Sequence, residues 1–457
     1  MVQPFFDGSL ALCLASALIP NVHAHRDTAM KPADCHRLTL PTLCVMALSL
    51  SLAAQAQAPA DASDLDALRQ RIAAPLMAQP LIGQQPLVPL AQAARLPRSE
   101  QPLALNLSAA LAHDSNVMRT SEARADRLAI LTAGLRLDKR YGLQRFTLDA
   151  EGSALRFDEW GALDHELVNY RGAWLASFTP RLTGTLSSRQ SQLRDFSGAD
   201  GAPTRVDLRT EREQLVDLTF GGVGPWRVEA GAGHLRAESG QARTLEANAR
   251  VDSLRLGLGH RRPSGLDLAL QAREGEGRYP DGSGPDFHDR QIDLALQLPL
   301  HAAWAFDARL GQFQRRHDTQ AARDFDGAVG RARVAWDSGA RTRVEAGLEH
   351  ELGGYEPGTG GHVRASRVFF APAWQVGART TLSLRHAQEL RHWSTVDALA
   401  LDAGREDRTR ATGLVLDWQP WSWWQMVAQV RSEHRASNLA GAHFRATFGS
   451  LAIRISI

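Results

Sequence analysis

The sequence predicts an all-β fold, a transmembrane outer-membrane β-barrel of about 18 antiparallel strands. Three observations predict it. An export signal heads the chain, period-2 alternation runs from Leu103 to the end, and short turns alternate with long polar connections.

The export signal begins at Met30. Lys31, His36 and Arg37 form a basic n-region, Leu38 to Leu52 is apolar apart from small hydroxyls, and Ala56-Gln57-Ala58 has the small-x-small ending that signal peptidase needs. Pro41 argues against a buried helix there. Residues 1–29 have their own apolar stretch, but Asp7 stands where a positive charge belongs. We therefore expect 1–58 to be an over-extended start plus signal peptide, with the true start at Met30 and cleavage after Ala58. Cys13, Cys35 and Cys44 all lie in this part, so a mature chain would carry no thiol for disulfides, zinc or Fe–S clusters. Beyond it, no segment approaches the roughly 18 consecutive apolar residues of a membrane helix. Residues 59–100, interrupted by Pro75, Pro80, Pro86, Pro89 and Pro97, read as a periplasmic extension and linker, with a plug in the pore as the alternative.

Overall charge gives no reason to expect disorder or nucleic-acid binding: 22% of residues are charged, 44% are hydrophobic, and the formal net charge is +2. From 101 to 457 the alternation is sustained. Ile292, Leu294, Leu296 and Leu298 alternate with Asp293, Ala295 and Gln297, and Trp304, Phe306, Ala308 and Leu310 alternate with Asp307 and Arg309. The same pattern recurs at 343–349 and 376–385, and closes the chain at 451–457.

A soluble half-buried sheet would show the same alternation, so the connections decide. Short turns are expected at 139–142, 179–181, 221–225, 261–265, 299–301, 337–339, 371–373 and 419–420. Longer polar stretches fall at 114–126, 157–167, 194–204, 236–242, 275–288, 314–325, 352–361, 389–405 and 434–440. Nine long and eight short connections join 18 strands and leave both ends in the periplasm, as a bacterial barrel requires; merging one hairpin would give 16. Of 11 tryptophans, Trp174, Trp226, Trp304, Trp336, Trp374, Trp418, Trp421, Trp423 and Trp424 lie close to short turns, the headgroup level of a bilayer.

Charged residues on alternate positions then point into the lumen, because lipid cannot solvate them. The lumen-facing candidates are Arg145, Asp149, Arg227, Glu229, Asp293, Asp307, Arg309, Arg343, Glu345, Arg379, Arg385 and Arg454. Arginines with acids interspersed suit planar hydrogen bonding to carboxylates or hydroxyl-rich sugars. Leu294 and Leu296 should face lipid, while Asp293 and Gln297 should face a wet lumen where added charge costs little.

No catalytic residue, cofactor site or metal site is assigned. His113-Asp114-Ser115-Asn116 sets acid–base and nucleophile types side by side, which keeps an outer-membrane hydrolase as a reading. Neighbouring strand residues point to opposite faces, however, and the cluster reads better as the start of a loop. Asp281 to Asp286 and Asp324 to Gly327 offer oxygen ligands at short spacing without the twelve-position loop of a strong calcium motif.

The stretch from His113 to about Gly184 resembles the EpsL-type exopolysaccharide biosynthesis and export family, exosortase-associated barrel proteins of Gram-negative bacteria. The resemblance is carried by Asp114-Ser115-Asn116-Val117-Met118-Arg119, Tyr141-Gly142-Leu143-Gln144-Arg145-Phe146, Asn169-Tyr170-Arg171-Gly172-Ala173-Trp174 and Thr179-Pro180-Arg181-Leu182-Thr183-Gly184. Departures are Ser115, Met118 and the final Ile457, where barrels usually end in an aromatic read by the barrel-assembly machinery. The resemblance implies polysaccharide transport at the cell outer membrane, with exopolysaccharide and other export-machinery proteins as partners besides outer-membrane lipid. It implies no catalytic residues. A general or solute-specific porin is the alternative, since it needs the same charged lumen.

Overall fold

The computed structural model describes residues 102–457 apart from 196–206, 222–223, 240–247, 283, 302, 340, 355–360 and 396–403. The chain divides into two units, Met1–Arg71 and Ile72–Ile457, and every described residue belongs to the second. The expected signal peptide, its cleavage site and the 59–100 linker lie outside the described residues.

Eighteen strands follow one another: β1 (Leu103–Asp114), β2 (Asp126–Tyr141), β3 (Gln144–Phe157), β4 (His165–Ser177), β5 (Leu182–Asp195), β6 (Asp207–Gly221), β7 (Trp226–Ser239), β8 (Ala249–Arg261) and β9 (Asp267–Arg278). The second half comprises β10 (Phe287–His301), β11 (Trp304–His317), β12 (Phe325–Asp337), β13 (Thr342–Gly354), β14 (Gly361–Gly377), β15 (Thr380–Thr395), β16 (Glu406–Trp421), β17 (Trp424–Ser437) and β18 (Phe444–Ser456). Each pairs antiparallel with its neighbours in sequence, and β1 pairs with β18 from Asn106–Ser456 to Asp114–Phe448, which closes the ring. Closure leaves no edge strand with unpaired backbone groups, the condition for a sheet to cross lipid.

Side-chain parity separates two surfaces. Outward positions near the short turns are large and apolar: Leu254 and Leu256 on β8 are 68% and 66% exposed, and Leu270, Leu294, Leu310, Val368, Leu414 and Leu451 also lie bare. Such a row is costly in water and favourable against acyl chains. Tryptophans close its lower rim. Trp304 and Trp336 sit side by side across β11 and β12 with ring centroids 6.0 Å apart, and Trp421, Trp423 and Trp424 cluster at the β16–β17 turn. The opposite parity carries most of the charged residues of the lower and middle strands, turned into the ring.

Three short turns lie later than the sequence suggests. Pro299, Pro372 and Pro420 were read as turn residues, yet they lie within β10, β14 and β16, and the chain reverses between His301 and Trp304, between Gly377 and Thr380, and between Trp421 and Trp424. Proline has no N–H to give the ladder. Accordingly, the register slips between Pro299 and His301 and between Trp418 and Trp421, and the β14–β15 pairing passes over Pro372. Each proline therefore marks a ladder defect just before the reversal. Arg379 falls in the β14–β15 turn as a result, where its guanidinium donates to the Pro420 carbonyl.

The long connections are shorter than expected. β15 continues to Thr395, β9 to Arg278 and β11 to His317, well into stretches read as loop. Several share one clamp. An aspartate just before the next strand accepts the backbone N–H seven residues earlier: Phe157 to Asp164 at 2.7 Å, Tyr279 to Asp286 at 3.3 Å and His317 to Asp324 at 2.7 Å. In the first and third, a 3₁₀ turn (Gly161–Leu163, Ala321–Arg323) fills the space between. Partial burial of Asp324 works against its ionised form, but hydrogen bonds from the His317 N–H and ring and from Arg316 outweigh it and lower the carboxyl's pKa. A lowered carboxylate pKa adds stability at neutral pH that is lost as pH falls through that value. Asp324→Asn should weaken the clamp by about 1 kcal/mol, read as roughly fivefold faster hydrogen exchange at the His317 amide. Unchanged exchange at neutral pH would remove the clamp's role.

Candidate functional site: the inner wall of the barrel

Period-2 geometry alone decides which side chains line the ring. Arg145 and Asp149 on β3 share the inner parity; Arg145 makes a two-pronged ion pair with Asp138 (2.7 and 2.8 Å), and Asp149 lies 3.7 Å from Arg136. Arg227 on β7 meets both Glu229 and Asp267 at 2.7 Å. Asp307 on β11 pairs with Arg333 (2.7 Å), which also reaches Glu345 on β13 (3.1 Å). Arg385 lies over the Phe369 ring at 4.4 Å, Arg454 donates to Gln425 at 3.3 Å, and Arg343 is exposed just above the β12–β13 turn. Of the twelve candidates, Arg379 alone leaves the strand wall, for the turn described above.

Water does not reach all of this wall. Asp293 and Arg309 pair at 2.6 Å with side chains only 1% and 5% exposed, and Asp289 and Arg315 make a bidentate pair with side chains 0% and 7% exposed. Arg315 also lies 3.6 Å over the ring of Phe287, which packs with Tyr279, His317 and the buried cluster of Leu235, Ala249 and Val251. Gly277 stands directly opposite Phe287 in the β9–β10 register, and any Cβ there would strike the ring. The expected wet surroundings of Asp293 are thus corrected: the inner face of β7–β12 is a packed bank of ion pairs and rings. Buried charges of this kind persist only when each finds a partner of opposite sign.

Across the ring the wall is open. One hydrogen-bonded row on β2–β5 carries Arg136, Asp149, Arg171 and Arg189 in register. Arg136 approaches Asp149, and Arg189 pairs with Glu213 at 2.9 Å. That leaves Arg171 exposed, directly opposite another arginine and without an ion pair of its own among the described residues. Arg136, Arg171, Arg189, Asp289, Arg315, Arg367 and Glu389 were absent from the sequence-derived set. Their signal was the same alternation, continued into stretches read as loops or left unlisted.

The His113 to Asn116 cluster is architectural. His113 faces outwards and Asp114 inwards. Asp114 receives the Asn116 N–H at 2.9 Å and both terminal nitrogens of Arg119, whose backbone has φ 55°. Asn116 donates to the carbonyls of Thr120 and Arg445, while Ser115 Oγ accepts the Thr447 N–H at 2.7 Å. These bonds pin the β1–β2 connection to β18 and hold a left-handed arginine that would otherwise be unfavourable. Among the described residues no group of three or more His, Cys, Asp or Glu is placed to hold a metal ion. Asp286 and Asp324 are committed to the loop clamps.

No protein-family model matches the chain, and no curated protein matches it. Solved structures do. OccK1 (OpdK) of Pseudomonas aeruginosa aligns with a TM-score of 0.46 and 12% identity over 78% of this chain and 99% of that one. OccK2 (OpdF) of the same organism gives 0.47 and 15% over 78% and 97%, and a BenF-like porin of Pseudomonas fluorescens Pf-5 gives 0.47 and 11% over 78% and 98%. At these values no side-chain role passes from one chain to another. The last is a porin by name, none of these three is an EpsL-type protein, and no family model supports that likeness, so the resemblance to the EpsL-type family and the exopolysaccharide role it implied are withdrawn. The reason is physical. Tyr141 closes β2, Thr179 to Arg181 form a short turn, and Asn169 to Trp174 cross the bilayer on β4, so much of the shared pattern is what any barrel hairpin needs. The chain is a closed, antiparallel 18-stranded β-barrel with an exposed apolar belt, the architecture of a Gram-negative outer-membrane barrel.

Proposed function

We propose that the protein is a diffusion channel for small anionic solutes, carboxylates foremost, that pass along the inner face of β2–β5. The observation that carries this reading is Arg171. It is an exposed guanidinium on the inner parity, flanked by Arg189 and Asp149 in one register row, and among the described residues it has no ion pair of its own. A guanidinium presents a planar fork to a carboxylate, and in a confined aqueous path an uncompensated positive charge concentrates anions. The packed bank on β7–β12 narrows the route and directs solutes towards the open side. Most of its charges are paired in place, so they leave selectivity to the exposed row.

Planar-bilayer recording tests both halves. Wild-type protein should give stable open channels that prefer anions under a salt gradient, and Arg171→Glu should move the reversal potential towards cations without abolishing conductance. Silent bilayers from correctly folded barrel would overturn the channel reading. Conductance with unchanged selectivity in Arg171→Glu would overturn the path along β2–β5.

A further inference from the structure

Above the apolar belt the outward face turns polar, and it does so unevenly around the ring. On the β7–β11 arc most outward cations meet carboxylates: Arg236 meets Glu238, His234 meets Asp252 at 2.7 Å, Arg278 meets Glu276 at 2.6 Å, Arg290 meets Glu274 at 2.8 Å and Arg316 meets Asp324 at 3.3 Å, while Arg250 stands exposed between Arg236 and Arg278 with those acids on the flanking strands. On the β14–β18 arc the balance is broken. Arg364, Arg408, Arg410 and Arg445 are exposed and outward-facing, and among the described residues none makes an ion pair or a side-chain hydrogen bond. The one outward carboxylate among the described residues of these strands, Glu406, is met by His392 at 3.2 Å.

The register layers this patch. Arg410, His434 and Arg445 form one row across β16, β17 and β18. Two residues closer to the periplasm the row is Thr412, Ser432 and Thr447, all exposed hydroxyls. The next is Leu414, Val430 and Gly449, within the lipid-facing belt. With strands about 4.8 Å apart, Arg410 and Arg445 stand roughly 10 Å apart, and Arg408 lies about 7 Å along the strand from Arg410.

We infer that this face binds the phosphate groups of an outer-leaflet glycolipid. The layers match such a molecule from the membrane outwards: acyl chains on leucine and valine, ester and sugar oxygens at the hydroxyl row, and phosphates at the arginines. Arginine pairs with phosphate through two parallel hydrogen bonds, and unpaired guanidinium groups give up no existing ion pair to form them. The continuity with the lipid belt favours a lipid over a soluble partner, because anything docked on Arg410 also touches the acyl-chain region two rows below. This inference is independent of what passes through the lumen.

The test uses folded full-length barrel in detergent, with folding checked by heat-dependent gel mobility. The probes are purified lipopolysaccharide, the same lipopolysaccharide after dephosphorylation, and inorganic phosphate. Wild-type protein should bind the phosphorylated form. Arg408→Gln/Arg410→Gln/Arg445→Gln should bind it on the order of a hundredfold more weakly, since each arginine near a charged lipid surface supplies a several-fold factor. Arg236→Gln/Arg278→Gln/Arg290→Gln, which removes three arginines that already hold carboxylates, should bind as wild type, and the single Arg410→Gln variant should show a several-fold loss if the triple variant fails to fold. Equal binding by wild type and the β16–β18 variants, or equal affinity for the dephosphorylated lipid, would overturn the proposal. Binding of inorganic phosphate as tight as that of the glycolipid would also overturn it, because the patch would then be a free-phosphate site.

Discussion

Asp289→Ala should destabilise the barrel by about 3–5 kcal/mol, the largest single effect expected in the inner wall. The carboxylate accepts two hydrogen bonds from Arg315, and both side chains are almost wholly shut from water. Removing it leaves a guanidinium between the rings of Phe287 and Phe325 with no counter-charge. Arg315→Met in the same background should restore much of the loss, because a neutral side chain of similar length fills the slot without needing a partner. Urea unfolding in lipid vesicles gives the comparison. If Asp289→Ala costs no more than an exposed substitution such as Asp149→Ala, the bank on β7–β12 is hydrated and its pairs are incidental. If the double variant is as unstable as the single one, the loss comes from packing at residue 289 rather than from the stranded charge.

Much of the fold was legible because the bilayer imposes it. An outward side chain on β8 or β10 meets acyl chains and an inward one does not, so Leu254, Leu256, Leu294 and Leu296 alternate with polar or small residues whatever the barrel carries. The same constraint gathers indoles at the short turns. Proline misplaced three reversals because it signals a missing ladder donor, which at Pro299, Pro372 and Pro420 produced a defect rather than a turn. The outer strand ends were hidden for another reason. Above the membrane the ladder continues, yet neither face must be apolar, so residues such as Glu276, Arg278 and Arg316 look like loop while hydrogen-bonding as strand.

The candidate site was only half legible. Alternation identifies which residues turn inwards, but which inward charges neutralise one another depends on the register between strands. Arg309 and Asp293 are 16 positions apart in sequence, and only the β10–β11 pairing makes them a buried couple. Arg171 stands out as an uncompensated cation only once Asp149 and Arg189 are known to lie beside it. Pairing also reverses one expectation. A charge added at Asp293 would not meet water; it would face Arg309 in a closed space.

The sharpest contrast between the two faces lies on β10. Leu294→Arg or Leu296→Arg should cost about 2–4 kcal/mol, because a guanidinium near the bilayer midplane must be dehydrated or must snorkel to an interface. Leu294 lies between Leu270 and Leu310 on the exposed outer face, with no polar neighbour to receive it. Gln297→Arg should cost far less. Gln297 lies opposite Asp307 on one side and Asp267 on the other, so the new cation enters between two carboxylates. Residues 296 and 297 are adjacent, and strand propensity and depth hardly differ between them. A dry soluble core would also make Leu296→Arg damaging, so energetics alone does not separate a lipid face from a protein interior. Fluorescence does. The chain has no cysteine after Cys44, so Leu296→Cys and Gln297→Cys each give a barrel one label. A lipid-phase quencher should dim the label at 296 and spare the one at 297, whereas equal quenching at both, or none at either, would put the register of β10 or its place in the bilayer wrong.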